Sequence, residues 1–277
     1  MPRAATFRAA VEVFHPAPTL AVVALSAALG AILLLQAGEP VLGPRWLATV
    51  AAVLGSQIFV GAANDLVDRA RDQATARLDK PLATGALSPE AAVWIASGGL
   101  ALQLAASLQI GTLALLLGLA AVASGLVYDL WLSRTPLSVL PYLVSFGLLA
   151  PWIAAGVGVP LDRVAAAPLL VAPFAAAAHL TNALRDFDAD ASLGSRNLAQ
   201  VLGRRRAFWL SWALALGVGV GVGAAFALDG RLDPLGAMLG LAGLAAVGQG
   251  IAGPRRLWAG MLVAAVCWTA AWALGSG

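Results

Sequence analysis

Nine uninterrupted apolar runs, each long enough to cross a lipid bilayer, constrain this chain more than any other feature. A transmembrane helix needs about 20 apolar residues, because the hydrocarbon layer is roughly 30 Å thick and a helix rises about 1.5 Å per residue. The runs occupy residues 17–38, 46–66, 91–109, 111–130, 138–158, 164–184, 207–228, 234–251 and 257–275. Since 60% of the residues are hydrophobic and only 11% are charged, the sequence predicts a multi-pass membrane protein.

The pattern inside these runs predicts the fold class. They lack the alternation of polar and apolar residues that is typical of a membrane β-strand, and lipid excludes open sheet edges. We therefore predict an all-α fold, a single domain over residues 1–277, with nine transmembrane helices in a bundle around a central cavity. The long connections after the second and sixth runs, residues 67–90 and 185–206, are expected to form a cytoplasmic cap.

The basic residues predict the orientation, because Lys and Arg near span ends stay on the cytoplasmic side. With the N-terminus inside, only Arg45, Arg163 and Arg231 of the seventeen basic residues fall outside. We expect a protein of the cell membrane whose N-terminus and long connections are cytoplasmic and whose C-terminus is outside. Because the basic residues are spread along the loops, they do not indicate a nucleic-acid partner.

Two short acidic segments, residues 64–72 and 182–190, contain six of the fourteen acidic residues. Both begin at the end of an even-numbered run, and they share the spacing Asn-x3-Asp-x3-Asp at a constant offset of 118 positions. On a helix, this spacing places the side chains along one face. These faces carry Asn64, Asp65, Asp68 and Asp72 in the first segment and Asn182, Asp186 and Asp190 in the second.

The chemistry of these side chains predicts a metal and a phosphate ligand. Oxygen ligands, with two histidines and one cysteine in the whole chain, favour magnesium or calcium over zinc or copper. Magnesium commonly completes its shell with water and phosphate oxygens, and guanidinium groups suit phosphate. The basic side chains near the two segments are Arg69, Arg71, Arg77, Lys80, Arg185 and Arg196. Surface salt bridges are the alternative, but they do not explain the repeated spacing.

The sequence NDLVDRARD resembles the N-D-x-x-D-x-x-x-D signature of the UbiA superfamily of intramembrane prenyltransferases, and RDFDAD resembles its second D-x-x-x-D motif. The flanking sequences are also similar. LDKPLATG resembles R-P-L-x-x-G, with Lys80 where Arg is usual, and GSRNLAQVLG resembles G-x-x-T-L-x-x-x-x-G, with Asn197 in place of Thr. The resemblance covers essentially the whole chain.

The resemblance implies an enzyme that transfers a prenyl group between membrane-embedded partners. Two magnesium ions would bind the diphosphate of an allylic isoprenoid donor and promote its departure, and a hydrophobic acceptor would capture the carbocation. The metal ligands would be Asn64, Asp68, Asp72, Asn182, Asp186 and Asp190, with Asp65 also at the catalytic centre. Membrane lipid surrounds such a protein.

Two positions depart from the family pattern. Where the family commonly has Tyr-x-x-x-Lys, Tyr128 is followed by Leu132, and Arg134 is the substitute that we expect at the diphosphate. Where relatives often have Arg-Pro before the first span, this chain has His15-Pro16, so that His15 is either a phosphate ligand or a helix-end histidine.

Three further side chains, Tyr128, Tyr142 and His179, are candidates for the acceptor or cation pocket. Aromatic faces can stabilise a cation. Packing, interfacial anchoring or an interhelical hydrogen bond is the alternative for each. Asp129, beside Tyr128, is a candidate base for an acceptor proton.

Two other functions remain open at the sequence level. A membrane terpene cyclase would use the same ionisation, but the double bonds of the substrate itself would capture the cation. A non-catalytic transporter would place its acidic residues near the middle of the membrane on broken helices. In this sequence the acidic residues follow the second and sixth runs and continue into charged loops.

Overall fold

The computed structural model describes residues 3–228 and 233–274, with side chains from residue 6 onward. Arg231, which entered the orientation argument, lies outside the described residues. The elements in chain order are α1 (Arg3–Glu12), α2 (Pro16–Gln36), α3 (Pro44–Ala74), α4 (Pro81–Thr84), α5 (Pro89–Ile110), α6 (Thr112–Val127), a π-helical turn (Tyr128–Leu132), α7 (Leu140–Gly147), α8 (Leu149–Val157), a 3-10 turn (Leu161–Val164), α9 (Ala167–Arg185), α10 (Phe187–Ser192), α11 (Leu198–Leu202), α12 (Arg204–Leu228), α13 (Pro234–Gln249), a second 3-10 turn (Gly250–Ala252) and α14 (Pro254–Leu274).

The all-α prediction and the predicted spans are confirmed. Within the described ranges there is no strand, and nine helical segments are long and apolar enough to cross a membrane. They are α2, α3, α5, α6 with its π-helical turn, α7 with α8, α9 with the preceding 3-10 turn, α12, α13 with the following 3-10 turn, and α14. The protein is a multi-pass membrane protein.

The helices form two compact units. The first comprises Met1–Trp131 and Leu148–Val164, and the second comprises Leu132–Gly147 and Ala165–Gly277. The boundary crosses the fifth span, because α7 ends at Gly147 and α8 begins at Leu149. The single domain over residues 1–277 and the central cavity remain predictions.

In the first unit, α3 and α5 pack closely through glycine. A Cβ atom on Gly55 would lie 2.6 Å from the carbonyl oxygen of Gly99, so the two backbones can approach only because both positions lack side chains. Arg45, at the start of α3, donates hydrogen bonds to the carbonyl oxygens of Gly156 at 3.1 Å and Ile110 at 2.9 Å. This arginine therefore satisfies the carboxyl-terminal ends of α8 and α5, which have no partners inside their own helices.

In the second unit, the core lies among α9, α12, α13 and α14. Its buried side chains include Val247, Leu257, Met261 and Trp268. Thr181 of α9 and Ser211 of α12 are hydrogen-bonded hydroxyls 2.6 Å apart, and both are buried. Such bonds join neighbouring helices where lipid offers no other partner.

Candidate active site

The first acidic motif lies on the last turns of α3. This helix has 31 residues, so it is about 46 Å long and extends beyond a hydrocarbon layer of roughly 30 Å. Asn64, Asp68 and Asp72 are half-buried along it, and Asp65 is buried with 1% of its surface exposed. The motif thus begins inside the packed part of the helix and continues into the connection that follows.

Asp65 is bound by two basic side chains from other segments. Its Oδ1 lies 2.5 Å from the Lys80 ammonium nitrogen and 2.9 Å from Nε2 of His15. The Lys80 nitrogen is also 3.3 Å from Nε2 of His15. The other oxygen of Asp65 is buried and has no hydrogen-bond partner among the described residues. The predicted phosphate ligand Lys80 and the predicted catalytic Asp65 therefore form one cluster with His15.

The local sequence explains how Lys80 reaches Asp65. Pro81 begins the short helix α4, Leu82 is buried against Ala62 of α3, and Gly85 ends α4 with a left-handed φ of 75°. Proline is favoured in the first turn of a helix, and glycine is favoured just after the last turn. The KPLATG sequence therefore forms a short helix that packs against α3, with Lys80 directed towards α3.

His15 reaches the same carboxylate through an unusual backbone conformation. It has a φ of 56°, which is uncommon for a residue other than glycine, and it joins α1 to α2. The backbone of Phe14 lies directly against Gly61, where a Cβ atom would be 2.8 Å from the Phe14 carbonyl oxygen. Because Gly61 precedes Asp65 by four residues, the close approach at Gly61 places His15 one helical turn further along, at Asp65.

Three other predicted diphosphate ligands lie near the first motif, and one of them, Arg77, is paired with a neighbouring carboxylate. Arg77 forms a forked ion pair with Asp79, at 2.9 Å from Nε and 2.8 Å from the terminal nitrogen. This hydrogen bonding lowers the pKa of Asp79 to about 2. Arg69 is exposed and Arg71 is half-buried. Their roles at a diphosphate remain predictions.

Asn64 is bound by an acidic residue from another span. Its amide nitrogen Nδ2 donates a hydrogen bond of 2.8 Å to Oδ1 of Asp129. Asp129 lies in the π-helical turn that ends the fourth span and is 3% exposed. Its second oxygen is buried without a hydrogen-bond partner among the described residues. Tyr128 begins the same turn and is half-buried.

The second acidic motif differs from the first because its helix is interrupted. Helix α9 ends at Arg185, Asp186 has a φ of −96° and a ψ of 12°, and α10 begins at Phe187. The backbone nevertheless keeps bonds at helical spacing, from Asp186 N to Asn182 O at 3.3 Å and from Asp190 N to Asp186 O at 2.9 Å. The expected continuous stripe is therefore divided between two helices.

A residue of the connection after the second motif contacts that motif, as Lys80 contacts Asp65 in the first unit. Asn197 donates a hydrogen bond of 2.9 Å to Oδ2 of Asp190 and caps α11 by accepting from Gln200 N at 3.0 Å. Asp188 pairs with Arg204 instead. Arg185 lies 3.7 Å from Asp186; the arginine is exposed and the aspartate half-buried. The role of Asn197 was missed because hydrogen bonds between loop residues leave no periodic signal.

Two predicted diphosphate ligands from different connections are neighbours in the second unit. The backbone nitrogen of Arg196 donates to the carbonyl oxygen of Arg134 at 3.0 Å, and both side chains are exposed. Ser138 supports this junction, since its buried hydroxyl accepts from Leu198 N at 3.2 Å. The structure thus brings together two basic residues that are 62 positions apart in the sequence.

His179 and Tyr142 belong to the packing beneath this junction. Nε2 of His179 is 2.9 Å from the Ser138 hydroxyl, and His179 is 3% exposed. The rings of Tyr142 and His179 have centroids 4.5 Å apart. His179 of α9 therefore contacts the turn that precedes α7. A contact with an acceptor remains a prediction for both.

The oxygen ligands on α3 fit a magnesium ion that arrives with phosphate. Among the described residues, no group of three or more His, Cys, Asp or Glu side chains is arranged to hold a metal alone. Magnesium is commonly bound by one or two carboxylates together with substrate phosphates and water. One oxygen of Asp65 and one oxygen of Asp129 are buried without a hydrogen-bond partner among the described residues, so each can accept a bond from a ligand.

The fold and these motifs define an all-α, multi-pass membrane protein with an acidic, oxygen-rich motif at the end of its second and of its sixth span. The chain belongs to the UbiA prenyltransferase family, whose sequence model matches residues 23–247. A search of the curated proteins finds no match.

Several solved structures have a similar fold. A UbiA homologue from Aeropyrum pernix K1 superposes with a TM-score of 0.74 at 22% identity, covering 90% of this chain and 96% of that one. A UbiA homologue from Archaeoglobus fulgidus bound to GPP and Mg2+ has a TM-score of 0.67 at 18% identity, covering 97% and 100%. A digeranylgeranylglyceryl phosphate synthase has a TM-score of 0.70 at 13% identity, covering 96% and 98%.

Proposed function

We propose that this protein is a magnesium-dependent intramembrane prenyltransferase that ionises an allylic isoprenoid diphosphate and transfers the prenyl group to a hydrophobic acceptor. The observation that carries the proposal is the cluster around Asp65. There the buried carboxylate of Asp65 contacts Lys80 and His15. The other oxygen of Asp65 and one oxygen of Asp129 have no hydrogen-bond partner among the described residues. The A. fulgidus homologues solved with GPP or DMAPP and Mg2+ support the same choice of donor and metal.

In this proposal, Asn64, Asp68 and Asp72 of α3 bind a divalent metal, and Lys80 binds the diphosphate beside it. Asn182, Asp186 and Asp190 form the second ligand set. The metals would act as Lewis acids on the departing diphosphate, in a site that excludes the water that would quench a carbocation. The role of both motifs at one diphosphate is inferred from the sequence. Each motif is at the end of an even-numbered span, so the two motifs are expected on the same side of the membrane.

The basic residues outside the metal sites have a consistent role in this proposal. Arg134 and Arg196, whose backbones are hydrogen-bonded, would supply positive charge from the second unit. Arg69, Arg71, Arg77 and Arg185 would add to the positive charge around the diphosphate. Both motifs and the N-terminus would face the cytoplasm, as the distribution of Lys and Arg predicts.

The test is product analysis with the purified protein in lipid nanodiscs. Allylic diphosphates of increasing chain length are incubated with magnesium and a panel of hydrophobic acceptors, and pyrophosphate and organic products are measured. We expect pyrophosphate release that depends on magnesium and a prenylated acceptor. A cyclic hydrocarbon formed without acceptor would assign a terpene cyclase instead. Ion uptake by vesicles without any pyrophosphate release would assign a transporter.

A further inference from the structure

We propose that Asp129 is a positioning residue that holds the amide of Asn64 in the orientation required for metal binding. The inference rests on the proposed function, because it concerns the metal of that reaction. Asp129 is not part of either Asn-x3-Asp-x3-Asp motif. It comes from the end of the fourth span, 65 positions after Asn64.

The hydrogen bond determines which end of the amide is available. Nδ2 of Asn64 donates to Oδ1 of Asp129 at 2.8 Å. Because the amide nitrogen faces Asp129, the amide oxygen on the other side of the same planar group faces away from it. Asparagine binds hard cations through its oxygen. Asp129 thus keeps the metal-binding atom of Asn64 free.

The setting of Asp129 argues for a role beyond stability. It is 3% exposed and lies in a π-helical turn, a distortion that is frequent at functional sites. Its second oxygen has no hydrogen-bond partner among the described residues. A buried carboxylate with an unpaired oxygen is destabilising by itself, so packing does not explain its presence.

Partners of this kind are general at metal sites. Side chains that hydrogen-bond to a metal ligand fix its orientation, and replacing them typically weakens metal binding by about 10–100-fold. We expect Asp129 to act in this way from a different span, so that the metal site depends on the packing of the fourth span against α3.

The test measures metal binding without turnover. The thermal midpoint of the full-length protein in nanodiscs is followed against magnesium concentration at a fixed concentration of inorganic pyrophosphate, since a ligand that binds the folded state raises this midpoint. For Asp129→Ala, we expect the magnesium concentration at half-maximal stabilisation to rise by about 10–100-fold. Asp129→Asn keeps an oxygen that accepts from Asn64 and should lose less. Asp162→Ala, which removes an exposed carboxylate after the fifth span, is the matched control and should titrate like the wild type.

A double-mutant cycle separates positioning from direct ligation. If Asp129 acts through Asn64, then Asp129→Ala combined with Asn64→Ala should bind magnesium within about threefold of Asn64→Ala alone. Independent, multiplicative losses would overturn the inference, and so would an Asp129→Ala variant that titrates like the wild type. If Asp129→Ala does not fold, the same cycle is run with Asp129→Asn.

The two proposals fail in different ways in this experiment. A wild-type protein that magnesium and pyrophosphate do not stabilise would overturn the proposed function and the role of Asp129 with it. A wild-type protein that is stabilised, together with an Asp129→Ala variant that is stabilised equally, would overturn only the role of Asp129.

Discussion

At the scale of single residues, the contact between Lys80 and Asp65 is the most informative pair in the first unit. The Asp65 side chain is 1% exposed and the Lys80 side chain 13%, so the ion pair is largely removed from solvent. The desolvation cost of such a pair can cancel its attraction. The ion pair lies beside carboxylate oxygens that have no hydrogen-bond partner among the described residues, so a role in ligand binding explains it better than a role in stability.

Replacing Lys80 with methionine tests how strongly this pair is coupled. Lys80→Met leaves the buried Asp65 with His15 as its remaining basic partner, and we expect the free energy of unfolding to fall by about 3 kcal/mol. Unfolding in mixed micelles measures this change. Lys80→Arg keeps the charge and is the control, and Asp65→Asn in the Lys80→Met background should restore most of the stability. A Lys80→Met variant as stable as the wild type would contradict a buried, coupled pair.

The pair of Arg77 and Asp79 predicts a pH dependence confined to acid. Hydrogen bonding from Arg77 lowers the pKa of Asp79 to about 2. A lowered pKa means that the stabilisation is present above the unfolded value of about 4 and is lost as the pH falls towards 2. We expect the thermal midpoints of wild type and Asp79→Asn to differ more at pH 6 than at pH 2. The difference should be constant and small between pH 5 and 8, because the pair is exposed. A difference that changes between pH 5 and 8 would contradict this assignment.

Several contacts at this scale could not be predicted from the sequence. The side chains of the first motif were identified by their spacing, which depends only on helix geometry. The partners His15 and Asp129 depend on a left-handed backbone and on a π-helical turn, and neither leaves a repeated pattern in the sequence. Asn197 was noted only as a departure from the family pattern, whereas its bond to Asp190 follows from the path of a loop.

At the scale of elements, the close packing of the α1–α2 connection against α3 positions His15. This contact depends on Gly61, where any side chain would meet the Phe14 backbone. Backbone cannot move aside as a flexible side chain can, so the whole connection would have to shift.

Gly61→Ala should therefore displace His15 from Asp65 and lower the free energy of unfolding by about 1–3 kcal/mol, the usual cost of overpacking. The matched control is Gly98→Ala on α5, since a Cβ atom there meets no heavy atom within 4 Å. Alanine is a better helix former than glycine, so the control should be neutral or stabilising. Unfolding in mixed micelles compares the two, and equal stability of both variants would contradict the proposed contact.

The elements themselves were predicted more accurately than their interruptions. Length and apolar content determine a span almost locally, so the nine spans could be found from sequence alone. The end of α9 at Arg185 agrees with the run predicted to end at residue 184, whereas the division of the fifth span at Leu148 was not predicted. Backbone hydrogen bonds at helical spacing continue through the break at Asp186. The Asn-x3-Asp-x3-Asp spacing is therefore the same in both motifs although only the first lies on one helix.

At the scale of the whole molecule, the two motifs stand at equivalent places in the order of spans. Each begins within the last turns of an even-numbered span, and each is contacted by a residue from the connection that follows it, Lys80 in the first unit and Asn197 in the second. The central claim is that both motifs are required for one reaction on a diphosphate. The spacing of the acidic residues predicts two metal-binding segments, and the resemblance to the UbiA superfamily implies that both act on one diphosphate. The acceptor and the length of the donor depend on side-chain packing that a single sequence does not specify.

The most direct test is magnesium-dependent pyrophosphate release by Asp68→Ala and Asp186→Ala in nanodiscs. Each should reduce the rate by at least about 100-fold, the scale of losing a group that stabilises charge in a transition state. Asp188→Ala is the matched control, because Asp188 lies within the second motif but pairs with Arg204, and it should keep most of the activity. Loss of activity in both Asp68→Ala and Asp186→Ala, with retention in the control, is the predicted result. A near-normal rate in either Asp68→Ala or Asp186→Ala, with the protein folded and inserted, would contradict the account.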